Sequence, residues 1–134
     1  MHQRRVNLVA PLKRLKQLIL ALALSLPVPA FAETFLLMAE EHGCIWCERW
    51  DDEIAQIYPK TDEGQKAPLV RYDLLDGTPD NVTLKRRVNF TPTFLLVWDG
   101  QEIGRIEGYP GEDFFWGLLG MLLDQADTTA KAAG

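Results

Sequence analysis

Near the C-terminal end, Asp99-Gly100 lies between two runs rich in apolar and β-branched residues, Thr93 to Trp98 and Gln101 to Glu107. An Asp-Gly pair accepts the positive φ angles of a two-residue turn, so the runs are expected to pair as an antiparallel hairpin. Upstream the pattern alternates. Thr34 to Met38 is a short apolar run and reads as a buried strand. Cys44 to about Ile57 reads as a helix, with Trp46, Trp50, Ile54 and Ile57 recurring every three or four residues and Tyr58-Pro59 as its stop. Residues 60–66 read as polar loop, Ala67 to Leu74 as a second strand, and Asp76-Gly77-Thr78-Pro79 as a turn. Thr78 as cap and Pro79 as first helical residue predict a short helix to Arg87. Gly111 to about Ala126 reads as an amphipathic helix, because Phe114, Phe115, Leu118, Leu119 and Leu122 share one stripe. The expected order is β-α-β-α-β-β-α, an α/β fold with a four-stranded mixed sheet flanked by helices.

The first thirty residues follow a different logic. Residues 1–16 hold Arg4, Arg5, Lys13, Arg14 and Lys16 with no acid, and the apolar run Leu18 to Leu26 follows. Pro27, Pro29 and Ala30-Phe31-Ala32 complete a basic region, an apolar core and an A-x-A site, which is the pattern of a secretory signal. A membrane anchor is the alternative, but a span needs about 20 apolar residues and this run is shorter. An amphipathic surface helix is a second alternative. Arg4-Arg5 also raises a twin-arginine signal, but Asn7 stands where an aromatic is usual, which favours the general secretory route. The expected organisation is a signal peptide over 1–32, one domain over 33–126 and a flexible tail over 127–134. Removal of residues 1–32 takes five basic residues and no acid, so the formal charge goes from −5 to −10. An acidic chain of this kind lacks the basic face of a nucleic-acid binder. Export places it where disulfides persist.

The only two cysteines form Cys44-Ile45-Trp46-Cys47, directly after a strand pattern and at the start of a helix pattern. Residues i and i+3 are helical neighbours, so the two sulfurs are within disulfide reach. The first helical turn presents unpaired N–H groups that favour a thiolate at Cys44, and the thiolate is the attacking species in disulfide exchange. Cys47, one turn inside, is placed to resolve a mixed disulfide. A structural disulfide closing two residues would constrain little. Zinc needs about four ligands, and His42 is the only histidine beyond the signal. A c-type haem needs a histidine where Glu48 stands. The expected redox group is therefore the Cys44/Cys47 pair itself, with no metal and no further cofactor. Trp46, between the cysteines, is expected to be exposed and to contact substrate. Trp50, Phe90, Tyr109 and Trp116 are further candidates for an apolar collar, with core packing the better reading for Trp50 and Trp116. Lys85-Arg86-Arg87 reads as a solvated helix face, or as a dock for an acidic partner.

Beyond residue 32 the chain resembles the thioredoxin family in its minimal form. A C-x-x-C opens a helix, and Phe90-Thr91-Pro92-Thr93-Phe94 stands before the hairpin, where that family carries a proline. The resemblance implies that Pro92 is cis and faces Cys44, and that Thr91 offers backbone groups to a substrate segment. An ordinary trans proline before a strand is the alternative. Gly108 matches a family glycine near the last strand. Ile45-Trp46 is neither Gly-Pro nor Pro-His, and Met38 stands where thioredoxins carry a buried acid, so a proton carrier has to come from Glu40 or a water. The combination is similar to the periplasmic thioredoxins of bacterial sulfur-oxidation systems, the SoxS group.

Glu40, Glu41, Glu48, Asp51, Asp52 and Glu53 lie within nine residues of Cys44 and oppose its thiolate, whereas only His42 and Arg49 favour it. This balance leans towards a reductant or isomerase rather than a strong oxidase. The expected function is a periplasmic reductase of disulfides or oxidised thiols on exported proteins, with a sulfur-carrier protein among the candidates. No glycine-rich strand-to-helix turn is present for a nucleotide cofactor. By the resemblance, electrons come from a membrane thiol transporter. A monomer without nucleic-acid partners is expected. An oxidase or isomerase on the same scaffold, and a binding module without turnover, are the alternatives.

Overall fold

The computed structural model describes residues 32–134. The export signal that the sequence reading sets over 1–32 lies, up to residue 31, outside the described residues. Four strands form one mixed sheet: β1 (Thr34–Glu40), β2 (Leu69–Asp73), β3 (Thr93–Trp98) and β4 (Gln101–Glu107), in the spatial order β2-β1-β3-β4. β1 runs parallel to β2 and antiparallel to β3, and β3 is antiparallel to β4. The hairpin forms as expected. Asp99 and Gly100 have φ of 49° and 73°, and Trp98 pairs directly with Gln101. That geometry is the type I′ turn an Asp-Gly pair favours.

Phe35 to Ala39 are all buried because both faces of β1 are covered, which is why that run is continuously apolar. One face carries Leu36, Met38, Phe94, Leu96 and Ile106, packed by residues of three helical elements. α1 (Ile45–Trp50) supplies Cys47 and Trp50, a π-helical continuation over Asp51–Ala55 supplies Ile54, and α3 (Glu112–Ala133) supplies Phe115, Leu119 and Leu123. The aromatic rings of Trp50, Phe94 and Phe115 meet at centroid distances of 5.0–5.8 Å. The architecture is the minimal thioredoxin fold with its four-stranded mixed sheet.

Three elements differ from expectation. The segment from Pro79 to Arg87 is not helical. Thr83 pairs with β4, its N–H donating to Gly100 O at 2.8 Å and its C=O accepting from Glu102 N at 3.0 Å. Val82 and Val88 are buried against Leu37, Leu95 and Val97 on the second sheet face. Strand pairing and burial of β-branched residues outweigh the local helix-start signal of Thr78-Pro79. Lys85, Arg86 and Arg87 therefore do not form a helix face. Second, the polar stretch before β2 holds α2 (Asp62–Lys66), capped by Thr61 Oγ1 accepting from Gly64 N at 3.0 Å. Third, α3 passes Ala126 and ends at Ala133. The alanines there are strong helix formers, and the Thr128 and Thr129 hydroxyls donate back to Asp124 O and Gln125 O without leaving the helix.

Candidate redox site

Leaving β1, the chain turns through Gly43, whose φ of +77° suits a residue without a side chain, and Cys44 N donates to Glu41 O at 3.3 Å. Cys44 then caps α1. Its Sγ accepts from Cys47 N at 3.1 Å, and its C=O accepts from Glu48 N at 3.1 Å. Cys44 and Cys47 are joined in a disulfide, with Cα atoms 5.2 Å apart. The two sulfurs differ in access: Cys44 is half-buried, whereas Cys47 is 4% exposed and belongs to the core.

The Thr91–Pro92 peptide is cis, as the family resemblance implied. Pro92 is buried, and its C=O accepts from Gly108 N at 2.7 Å, which ties the proline segment to the end of β4. Thr93 Oγ1 donates to Phe90 O at 2.6 Å and holds the preceding turn. Thr91 Oγ1 donates to Glu41 Oε1 at 2.7 Å, so the proline segment is also fastened to the loop before Cys44. Among the described residues, no backbone group pairs with the N–H or C=O of Thr91.

Trp46, Phe90, Thr91, Glu107 and Gly108 line an open groove of about 370 Å³. Trp46 is 49% exposed and Phe90 60% exposed, and Ile45 beside them is exposed too. The structure thus brings Trp46 and Thr91, two of the residues named as substrate contacts, into one groove, while Pro92 is buried. Trp50 and Tyr109 are core residues, and Trp116 packs at the core edge. Of the proposed collar, only Trp46 and Phe90 line the groove.

Charges around the site are more compensated than their order in the chain suggests. Arg71, on β2, donates from Nε to Glu40 Oε1 at 3.0 Å and from Nη1 to Asp51 Oδ1 at 2.7 Å. Its pairing with Glu40 and then Asp51 raises the guanidinium pKa further above its ordinary value. Glu40, named above as a proton carrier, is thus an ion-pair partner. Arg49 Nε donates to Glu53 Oε1 at 2.8 Å, and Tyr109 OH donates to Glu53 Oε2 at 2.6 Å. The Tyr109 bond first, and Arg49 second, lower the Glu53 pKa, while burial and Glu53 push the Tyr109 phenol up. Glu41, Glu107, Gly108 and Arg71 were missed as site residues. Their partners lie 16 to 50 positions away, and no local pattern signals such pairs. The Arg49 and Glu53 pair, at i and i+4, was readable. Among the described residues, no group of three or more His, Cys, Asp or Glu side chains is arranged to hold a metal, and no helix is long and apolar enough to cross a membrane.

The arrangement supports thiol–disulfide exchange: one accessible sulfur at a helix start, one buried partner, and an apolar groove beside a backbone edge. The chain is similar to the crystal structure of the periplasmic thioredoxin SoxS from Paracoccus pantotrophus in its reduced form, at 54% sequence identity and a TM-score of 0.69. The match covers 70% of this chain and 99% of that one. No protein-family model and no curated protein matches the chain.

Proposed function

This chain belongs to the thioredoxin family, with the periplasmic thioredoxin SoxS as a relative, and is a thiol–disulfide oxidoreductase; from that premise we propose that it works as a periplasmic reductase of exported proteins. The observation that carries the proposed order of attack is the difference in access between Cys44 and Cys47 beside the Trp46–Thr91 groove. In the reduced protein, the Cys44 thiolate attacks one sulfur of a substrate disulfide. A Cys44–substrate bond forms, and the other substrate sulfur leaves and takes up a proton. Cys47, deprotonated, then attacks Cys44 Sγ and releases the second substrate thiol. Two electrons pass to the substrate, and the protein is left with the Cys44–Cys47 disulfide. Trp46 and Phe90 cover the apolar part of the substrate segment, and Thr91 with the cis Pro92 aligns its backbone.

The reducing direction is supported by charge. Arg71 offsets Glu40 and Asp51, and Arg49 offsets Glu53, which leaves Glu48 and Asp52 exposed and without an ion-pair partner among the described residues. Negative field at a thiolate makes the dithiol a stronger reductant. Export through residues 1–32, with cleavage after Ala32, fits the SoxS relationship. So do a sulfur-carrier protein among the substrates and a membrane thiol transporter as electron donor. Equilibration with glutathione buffers measures the direction. A potential more reducing than about −200 mV is expected, and one near the roughly −120 mV of a dedicated disulfide donor overturns the reductase reading in favour of an oxidase.

A further inference from the structure

One chain of contacts links two residues that line the groove, Trp46 and Gly108. The Arg49 guanidinium carbon lies 5.7 Å from the centroid of the Trp46 ring, within cation–π range. Arg49 is held by Glu53 Oε1 at 2.8 Å, and the other oxygen of the same carboxylate accepts from Tyr109 OH at 2.6 Å. Tyr109 is buried, and it directly follows Gly108, which lines the same groove as Trp46 and donates to Pro92 O. Both oxygens of Glu53 are thus engaged, one toward Trp46 through Arg49 and one toward Gly108 through Tyr109. Trp46 is half exposed and, among the described residues, has no hydrogen-bond partner for its indole, so the Arg49 contact is the polar contact available to order its ring. A large side chain that must order on binding weakens the complex by the freedom it loses, and a pre-ordered one does not.

We propose that Glu53 is a positioning residue for protein substrates: through Arg49 and Tyr109 it holds Trp46 against the groove, so that the wall is formed before the substrate segment docks. The inference rests on the reading of the groove as the docking site for protein disulfides at Cys44. Small disulfides need only reach the sulfur, whereas a protein segment must also lie along Trp46. The lowered Glu53 carboxyl is consistent with a group ionised throughout the working range.

The test uses pre-reduced protein with insulin and with 5,5′-dithiobis(2-nitrobenzoate), and reads the ratio of the two second-order rate constants. The ratio cancels any change in the Cys44 thiolate population caused by removing a charge. Glu53→Ala is expected to lower the insulin-to-small-disulfide ratio about 3- to 10-fold, the size of one lost aromatic anchor contact. Tyr109→Phe, which changes no charge and keeps the ring, lowers it by a smaller factor. Arg49→Met combined with Glu53→Ala is no worse than Glu53→Ala alone, because both act through Trp46. An unchanged ratio in Glu53→Ala and Tyr109→Phe, or a double variant equal to the product of the singles, overturns the positioning role. Wild-type protein that leaves insulin intact refutes the reductase reading and the inference with it. Wild-type protein that reduces insulin while the variants keep the ratio refutes the positioning role alone.

Discussion

Glu102 is the charged group on which the second face of the sheet depends. Its side chain is 1% exposed and that of its partner Arg105 is 4% exposed. The two are three residues apart in β4, which in a regular strand would set them on opposite faces. The register slips between Leu96 and Val97, pairing Leu96 with Gly104 and Val97 with Glu102, and the extra residue Ile103 brings both charges to one face. Arg105 donates to Glu102 from Nε and Nη2, each at 2.6 Å, and Lys85 N donates to it at 2.8 Å. Arg105 also donates to Arg86 O at 2.8 Å, so the pair pins the irregular 79–88 segment onto the sheet. Glu102→Ala leaves the buried guanidinium with only Glu107, 3.7 Å away, as counter-charge and should cost about 3 kcal/mol, the lower end for a broken buried pair. For a domain of this size that corresponds to a Tm lower by at least about 12 °C. In urea followed by tryptophan fluorescence, the midpoint should fall by at least about 1 M. Burial alone would raise the Glu102 pKa, but Arg105, the Lys85 N–H and the Lys85 charge together lower it. A carboxyl lowered on folding contributes stability above its unfolded value and loses that contribution as pH falls through the folded value. The stability gap between wild type and Glu102→Gln should therefore be full above about pH 5 and close toward more acid pH. A cost for Glu102→Ala below about 1 kcal/mol, or a gap to Glu102→Gln that ignores pH, would refute this reasoning.

Two further perturbations probe the helical side. Gly64→Ala should destabilise by about 1–3 kcal/mol in urea despite alanine's better helix propensity, because a Cβ there would lie 1.9 Å from Tyr58 O; unchanged or higher stability would show that α2 does not approach Tyr58 so closely. Arg71→Met removes the counter-charge of Glu40 and Asp51, and the Asp51 backbone N–H donates to Cys47 O one turn from the disulfide. The iodoacetamide alkylation profile of Cys44 in the reduced protein should move up by about 0.3–1 pH unit, and an unmoved profile would show that these acids do not act on the thiolate.

The parts of the molecule that were legible in the sequence are those decided locally. Thr34 to Met38 is apolar because β1 is covered on both faces, and Asp99-Gly100 has the positive φ angles its turn requires. The disulfide spacing of Cys44 and Cys47 is a property of one helical turn. The cis peptide before Pro92 was legible only through the family resemblance, since the sequence of a single X-Pro pair does not distinguish the isomers. Pro79 to Arg87 misled because its start carries helix signals, while the partners that override them, Gly100 and Glu102, lie 17 or more residues further on. The acids around Cys44 were visible, and so was the local Arg49–Glu53 pair, but the neutralisation of Glu40 and Asp51 was not. Arg71 reaches them from a different strand, 31 positions after Glu40. The groove was legible in half: Trp46 announces itself between the cysteines, whereas Glu107 and Gly108 belong to it only because β4 ends beside the proline turn.

The proposed function rests on a division of labour between the two cysteines, with Cys44 attacking and Cys47 resolving. Incubating pre-reduced Cys47→Ser and Cys44→Ser proteins with insulin, followed by acid quenching and non-reducing electrophoresis, measures that division directly. Cys47→Ser should accumulate a covalent adduct that dithiothreitol dissolves, because its mixed disulfide cannot be resolved, and Cys44→Ser should accumulate little. Adduct on Cys44→Ser equal to or greater than that on Cys47→Ser, or adduct on neither, would contradict it.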